Sequence, residues 1–348
     1  MENIFGLSLA ELQVKMTSLQ LPKYRAKQIA EWMYQKATFS FREMTDLPLE
    51  LRRVLSERYA IFHAKCVDRQ DSADGKTSKF LLEFADGVAV ETVLMRQPYG
   101  NSICVSTQAG CSMGCEFCAS TLHGLSRNLT AGEILAQAIY INDLLRKEEP
   151  FQKVGTIVIM GSGEPFMNYE NVIAFIKMVH EPYILGMGYR SITVSTSGIV
   201  PGIYRLIEES LPVTLSISLH APNQKLRSEL MPVNKKYPLS EVIEAGKAYG
   251  NKTKRRVTYE YILIDRVNDG EDQAKELVDL LRGQLAGVNL IPINPVVERN
   301  MRRPSKQRVA WFEKYLIDHH VAVTVRREMG TDIQAACGQL RNKHMISK

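Results

Sequence analysis

Cys111-Ser-Met-Gly-Cys115-Glu-Phe-Cys118 decides how this chain is read. The spacing gathers three thiols on one short loop, with no fourth cysteine adjoining. An electron-transfer cubane takes four thiolates, one for each iron. Three ligands leave one iron open, so such a site is chemical rather than merely electronic. A structural zinc knuckle completed by His123 or Cys104 is the competing reading, because zinc accepts mixed Cys/His sets. The run lacks the second Cys-x-x-Cys pair that zinc sites usually carry, and this favours the cluster.

The surroundings of the loop predict an α/β scaffold. From Asn101 onward, short apolar runs alternate with longer amphipathic segments. Strands are predicted over 102–106, 156–160, 191–195, 213–218, 256–263 and 288–293. Helices are predicted over 131–145, 171–179, 239–249, 271–281 and 305–319. Six β–α units in series imply a parallel sheet, open or closed into a partial barrel, with 321–325 as an extra edge strand. On that scaffold the cysteine loop follows the first strand and Gly161-Ser-Gly-Glu-Pro165 follows the second. Ser195 ends the third, Ser218-Leu219-His220 the fourth, and Asn294 the sixth. Parallel barrels gather their active sites at the carboxyl ends of strands. One rim therefore carries every polar candidate. Singly, each has a plainer reading, a turn-closing serine or glycine or a hydrogen-bonded histidine.

Upstream, Leu9, Leu12 and Met16, then Ile29, Trp32 and Met33, recur at helical spacing. Residues 1–75 read as a small helical accessory domain without a catalytic motif. Residues 76–96 read as a linking β-hairpin, because the runs 79–84 and 88–95 flank Ala85-Asp86-Gly87 and Asp-Gly tolerates positive φ. Residues 97–348 form the partial barrel with a C-terminal cysteine segment.

Composition bounds the rest. A chain of 348 residues, 45% hydrophobic and 24% charged, is expected to be soluble and globular. It has no apolar run of about 18 residues, so no membrane span is expected. Residues 1–10 lack the basic start and apolar stretch of a secretory signal. Six clustered cysteines are too few for a disulfide scaffold and point to a reducing cytoplasm. The net charge of +6 permits an anionic partner. Its basic runs are Lys252, Lys254, Arg255 and Arg256; Arg299, Arg302, Arg303, Lys306 and Arg308; and Arg326 with Arg327. Solvated surface explains such runs equally well unless the active site itself requires RNA.

Cys-x-x-x-Cys-x-x-Cys is the signature of radical S-adenosylmethionine (SAM) enzymes. Together with Gly163-Glu164-Pro165, Ser195-Thr-Ser-Gly198, Ser218-Leu219-His220 and Asn294-Pro295, its order resembles the RlmN/Cfr family of radical-SAM methyltransferases. The tail, Gly330-Thr-Asp-Ile333 and Ala335-Ala-Cys337-Gly-Gln-Leu340, matches as well. These enzymes act on adenosine in RNA, and the resemblance covers nearly the whole chain. Cys118-Ala-Ser-Thr121, Gly124-Leu125, Arg127-Asn128-Leu129 and Pro165 look like the RlmN branch, since Cfr-type sequences tend to have Ala at the place of Pro165. Ser162 stands where the family commonly has Met.

The resemblance implies a role for each matched residue. Cys111, Cys115 and Cys118 would hold a 4Fe–4S cluster whose open iron chelates SAM. Gly163 and Glu164 would receive the SAM amino group, and Ser195, Ser218, Leu219, His220 and Asn294 would contact the rest. Cys337 would accept a methyl group from one SAM, and Cys104 would be its resolving partner. Glu91, otherwise an ordinary exposed strand residue, would remove the ring proton. Cys66 matches no motif and reads as core. A second SAM, cleaved reductively, would yield a radical that takes hydrogen from the cysteine-bound methyl. The resulting carbon radical would add to carbon 2 of adenine, and a Cys104–Cys337 disulfide would release the product. The implied partners are 23S rRNA, tRNA and an electron donor such as flavodoxin or ferredoxin, and the chain is expected to be a monomer. Two alternatives stand beside this reading: Cfr-like methylation at carbon 8, which confers antibiotic resistance, and a non-catalytic RNA-binding protein stapled by zinc.

Overall fold

A computed structural model describes residues 1–294, 299–326 and 333 of the chain; Pro295, Cys337 and, apart from Ile333, the rest of the matched tail lie outside them. Its centre is a ten-stranded sheet. The strands are β1 (Lys65–Asp71), β2 (Thr77–Glu83), β3 (Ala89–Gln97), β4 (Gly100–Cys104), β5 (Val154–Ile159), β6 (Ile192–Thr196), β7 (Thr214–Ser218), β8 (Val257–Leu263), β9 (Ala286–Pro292) and β10 (Ala322–Val325). Each strand pairs with its neighbours in sequence. β1 to β4 are antiparallel, joined by tight turns such as Asp86-Gly87, where Gly87 has φ +81°. β4 to β10 are all parallel.

A parallel order that never reverses fixes where the helices go. Crossovers between parallel strands are right-handed, so a sheet wound in one direction receives its helices on one face. Those helices are α4 (Ala131–Glu148), α5 (Tyr169–His180), α6 (Val200–Glu208), α7 (Gln224–Leu230), α8 (Leu239–Thr253), α9 (Glu271–Leu281) and α10 (Lys306–Asp318). Strand residues alternate accordingly. Ile103, Ile157, Val194, Ile217, Tyr259 and Leu290 pack into the core beneath the helices. Their neighbours Cys104, Thr156, Ser195, Ser216, Glu260 and Asn289 stand on the opposite, helix-free face. This is the six-unit partial barrel that the sequence predicts.

Some features depart from the expected elements. α6 and α7 have no counterpart among the predicted helices; Pro201 opens α6, and Gly202 lets it pass against Phe166 where a Cβ would lie 2.6 Å from the phenyl side chain. The hairpin β2–β3 joins the barrel sheet through β3, which pairs directly with β4. Cys66 lies on the outermost strand, half-buried rather than in the core.

The N-terminal residues form α1 (Leu9–Ser18), α2 (Tyr24–Ala30), which continues into a π turn over Glu31–Gln35, and α3 (Leu49–Arg58). Ser8 and Glu11 form a reciprocal capping box at α1, and Leu12 and Met16 are its buried residues. The unit docks on the barrel where Gly6 meets Gly132 of α4, an approach that admits a Cβ on neither. The Tyr183 hydroxyl accepts a 3.0 Å bond from the Leu9 N–H.

Candidate active site

The cysteine loop is seated on an apolar platform at the carboxyl ends of the strands. Cys115 packs with Ala221, Leu230, Met231, Ile262, Ile264 and Ile293, with Met113, Phe117 and Cys118 at the margin. Polar ties fix its shape. The Glu116 N–H donates 3.0 Å to the Leu230 carbonyl, and Arg299 bridges the Glu116 carboxylate at 2.8 Å. Gly114 supplies the turn with φ +70°. The Thr121 hydroxyl donates to the carbonyls of Cys115 and Cys118.

Cys111 and Cys115 are buried and Cys118 is half-buried. Burial pushes Cys111 up to about 12, aided by the nearby Cys118, and raises Cys115 well above the ordinary thiol range. Thiolates here therefore require a compensating positive charge. Among the described residues no three Cys, His, Asp or Glu side chains converge on one ion position, and His123 is exposed. A cubane asks less convergence, because each thiolate takes a different iron. The donor set fits the cluster.

Beside the loop, residues 161–165 pack against the exit of β4. The Ser106 hydroxyl accepts from the Ser162 N–H, and the Ser162 carbonyl accepts from the amides of Thr107 and Gln108. Gly163, at φ +108°, leaves no room for a side chain: a Cβ would sit 2.6 Å from Gln108 Cβ. The Glu164 carboxylate is wholly buried and accepts from Thr196 Oγ1 at 2.8 Å and from the amides of Ser197 at 2.6 Å and Phe166 at 3.0 Å. Its side chain therefore locks the turn to the end of β6.

Ser195 and Ser218 stand half-buried on the helix-free face, and Asn294 lies exposed two residues beyond β9. His220 is buried with φ +58°, and its Nδ1 accepts a 3.0 Å bond from the Ile262 N–H. Nδ1 thus carries no proton, and the neutral ring holds its hydrogen on Nε2. Burial, reinforced by Arg227, lowers its pKa to about 3. Phe117 meets the ring edge-on at 4.6 Å between centroids, linking the histidine to the cysteine loop.

Glu91 is buried, contrary to its reading as an exposed strand residue. β3 pairs Val93 with Cys104, and Thr92 points the other way to bond Gln137 of α4. Glu91 and Cys104 therefore share the helix-free face.

Sequence reasoning missed two buried charged groups. Glu260 on β8 accepts from Ser216 Oγ and Asn289 Nδ2, both at 2.7 Å, inside the barrel. Arg227 on α7 is completely buried. It donates to the Ser197 carbonyl at 2.7 Å, the Ser218 carbonyl at 3.2 Å and Asn234 Oδ1 at 2.7 Å. A glutamate in a strand and an arginine in a short helix both read as solvated positions; only the fold buries them.

The basic runs separate by rim. Arg299, Arg302 and Arg303 follow β9, on the side of the cysteine loop. The Asp265 N–H donates 2.9 Å to the Arg302 carbonyl, bringing the fully projecting Arg266 beside them. Lys252 to Arg256 precede β8 and so lie at the opposite rim, where Arg255 bonds Thr214.

Known proteins resemble the chain over almost its whole length. The family model of the Radical SAM superfamily matches residues 105–281, and that of the ribosomal RNA large subunit methyltransferase N-terminal domain matches residues 2–61. The chain is 53% identical to the probable dual-specificity RNA methyltransferase RlmN of Symbiobacterium thermophilum, across 98% of this chain and 92% of that protein. The relative of the same name in Bacillus subtilis is 48% identical across 98% and 93%. A crystal structure of a radical SAM methyltransferase from Sphaerobacter thermophilus superposes with a TM-score of 0.93 at 45% identity, covering 97% of this chain and 99% of that one.

Proposed function

The chain belongs to the RlmN family of radical-SAM RNA methyltransferases, and on that premise we propose that it methylates carbon 2 of adenosine in 23S rRNA and in tRNA. The observation that carries the proposal is the near-complete match to relatives described as dual-specificity RNA methyltransferases. Membership makes the chain an enzyme whose cofactors are a 4Fe–4S cluster and SAM. When bound, they supply a one-electron route to a hydrogen-abstracting radical, which an electron-poor ring carbon needs because it cannot attack a methyl sulfonium.

The chain's own residues supply position and proton control. Cys111, Cys115 and Cys118 hold the cluster on a platform of Leu230, Met231 and Ile262 that excludes water. The backbone of the Gly163–Glu164 turn takes the SAM amino group, with Ser195, Ser218, Leu219, His220 and Asn294 around the remainder. Neutral His220 offers an Nε2–H and no charge. Cys337, in the segment beyond β10, accepts the methyl group. Cys104 and Glu91, together on the helix-free face, act last. Glu91 takes the ring proton, and the Cys104 thiolate attacks the Cys337 sulfur, forming the disulfide and breaking the sulfur–carbon bond. The carbon left on adenine keeps the electron pair and takes a proton to become the methyl group. A target carbon inside a stacked duplex is out of reach, so the substrate adenosine is single-stranded or flipped.

RNA approaches along Arg266, Arg302 and Arg303. The reductant is a flavodoxin or ferredoxin, and the enzyme works as a cytoplasmic monomer. No helix among the described residues is long and apolar enough to cross a membrane. Digested rRNA and tRNA from a deletion strain, compared with 2-methyl and 8-methyladenosine standards, test the assignment. Loss of 2-methyladenosine from both RNAs and its return on complementation is the expected result. An 8-methyl product, or no change in either RNA, overturns it.

A further inference from the structure

Arg227 is a buried cation without an anionic partner among the described residues. Its three hydrogen-bond acceptors are neutral: the carbonyls of Ser197 and Ser218 and the side-chain oxygen of Asn234. Its Nε and the neighbouring Ser197 Oγ are both buried without a hydrogen-bond partner. A full charge in the interior is costly unless a counter-charge meets it. The geometry indicates where that counter-charge lies. α7, which carries Arg227, also carries Leu230, whose carbonyl holds the Glu116 amide between Cys115 and Cys118. The Arg227 carbonyl accepts the Met231 N–H at 2.8 Å, and Leu230 and Met231 share an apolar cluster with Cys115. Gly198 leaves the guanidinium just enough space, since a Cβ there would stand 3.0 Å from Nη2.

We propose that Arg227 is a positioning residue whose fixed charge offsets the thiolate-bound cluster and raises its reduction potential. This rests on the assignment of Cys111, Cys115 and Cys118 as cluster ligands. The direction follows from charge alone. An external reductant adds one electron to the cluster, the negative charge grows by one, and a nearby cation favours the reduced form. Asn234, rather than a carboxylate, holds the guanidinium, so the charge is not spent on a side-chain ion pair.

The test is the midpoint potential of the reconstituted, SAM-free protein, read by electron paramagnetic resonance during a dithionite titration. Iron and sulfide content and a thermal melt accompany each sample. Arg227→Gln is expected to shift the potential negative by at least tenfold in the reduction equilibrium, about 59 mV for one electron. Arg227→Lys is expected to retain most of the wild-type value. Asn234→Asp leaves the guanidinium in place and neutralises it; the Ser228 hydroxyl, now 2.7 Å from the Asn234 amide, can turn to donate. It too is expected to lower the potential, and it decides the matter if the Gln variant loses its cluster or fold. An unchanged potential in Asn234→Asp, or equal shifts in the Lys and Gln variants, overturns the inference and leaves Arg227 a packing residue. A wild-type protein without a 4Fe–4S signal overturns the ligand assignment instead.

Discussion

Glu91 and Cys104 stand on the same face of adjacent antiparallel strands. Val93 pairs with Cys104, Glu91 lies two residues along β3, and the Glu91 carbonyl accepts from Ser106 at 2.8 Å. A base and a thiol are thus presented side by side to the barrel interior, while Thr92 turns outward to α4.

The proposed role of Cys104 is separable from methyl transfer. Cys104→Ala is expected to form methyl-Cys337 and to couple it to adenosine, then to stall for want of an attacking thiolate. A covalent protein–RNA adduct should run as a nuclease-sensitive band on a denaturing gel. Free methylated RNA at normal yield, or no adduct, contradicts the assignment. Cys337→Ala, which cannot accept the methyl, should give neither methyl-protein nor methyl-RNA.

Cys115 makes little polar contact through its side chain and sits among aliphatic residues. Cys115→Ala should therefore keep the fold, at a cost near the ~1 kcal/mol typical of point changes. Iron binding and SAM cleavage should disappear together. A full iron complement with retained activity rules out Cys115 as a ligand.

Legibility followed periodicity. The strands of the barrel were readable because alternate positions such as Ile103, Ile157 and Ile217 are apolar and face the helices. α6 was not, since Pro201 and Gly202 resemble a turn and its start is fixed by the approach to Phe166. The rim residues were readable as motifs in order, but the sequence does not show that the Glu164 carboxylate is consumed by Thr196 and Ser197. Glu91 and Arg227 were illegible for one reason: burial of a charged side chain depends on neighbours far away in sequence. The run from Lys252 to Arg256 shows the same dependence, because charge alone does not say which rim it occupies.

Gly163 offers a test of the turn. At φ +108°, with Gln108 in the space of a Cβ, Gly163→Ala combines backbone strain with a clash. The expected loss is about 1–3 kcal/mol of stability, together with weaker SAM binding. Denaturant titration and SAM binding by calorimetry measure the two. Unchanged values in both remove the turn from the binding site.

His220 links pH to stability. Its folded pKa, near 3, is below the unfolded value of ~6.5, so across that window the unfolded chain binds the extra proton. The native state loses stability as pH falls from about 6.5 toward 3, by at most about 1.4 kcal/mol per pH unit from this group. His220→Gln should flatten the slope when metal-free proteins are compared by denaturant titration. Parallel slopes would show that the unfolded and folded histidines titrate alike.

The last prediction separates the basic runs by the rim they occupy. Arg266 projects with 92% of its side chain exposed, from a turn in which Arg266 itself adopts φ +58°. The turn is held by Asp269 Oδ1, which accepts the Arg266 N–H at 2.9 Å, and by the buried Asn268. A non-glycine residue in that conformation costs of order 1–3 kcal/mol, so the turn is maintained by its supports. Beside it stand Arg302 and Arg303, above the cysteine loop. Each phosphate contact releases counterions, and losing one flattens the slope of log affinity against log salt by about 0.7 for single strands. Arg266→Gln, Arg302→Gln and Arg303→Gln combined should flatten that slope and weaken RNA binding. SAM cleavage without RNA should be less affected. Lys252→Gln with Lys254→Gln, at the far rim, should leave the slope unchanged. If the far-rim pair alone alters it, RNA runs along the amino ends of the strands and the proposed approach is wrong.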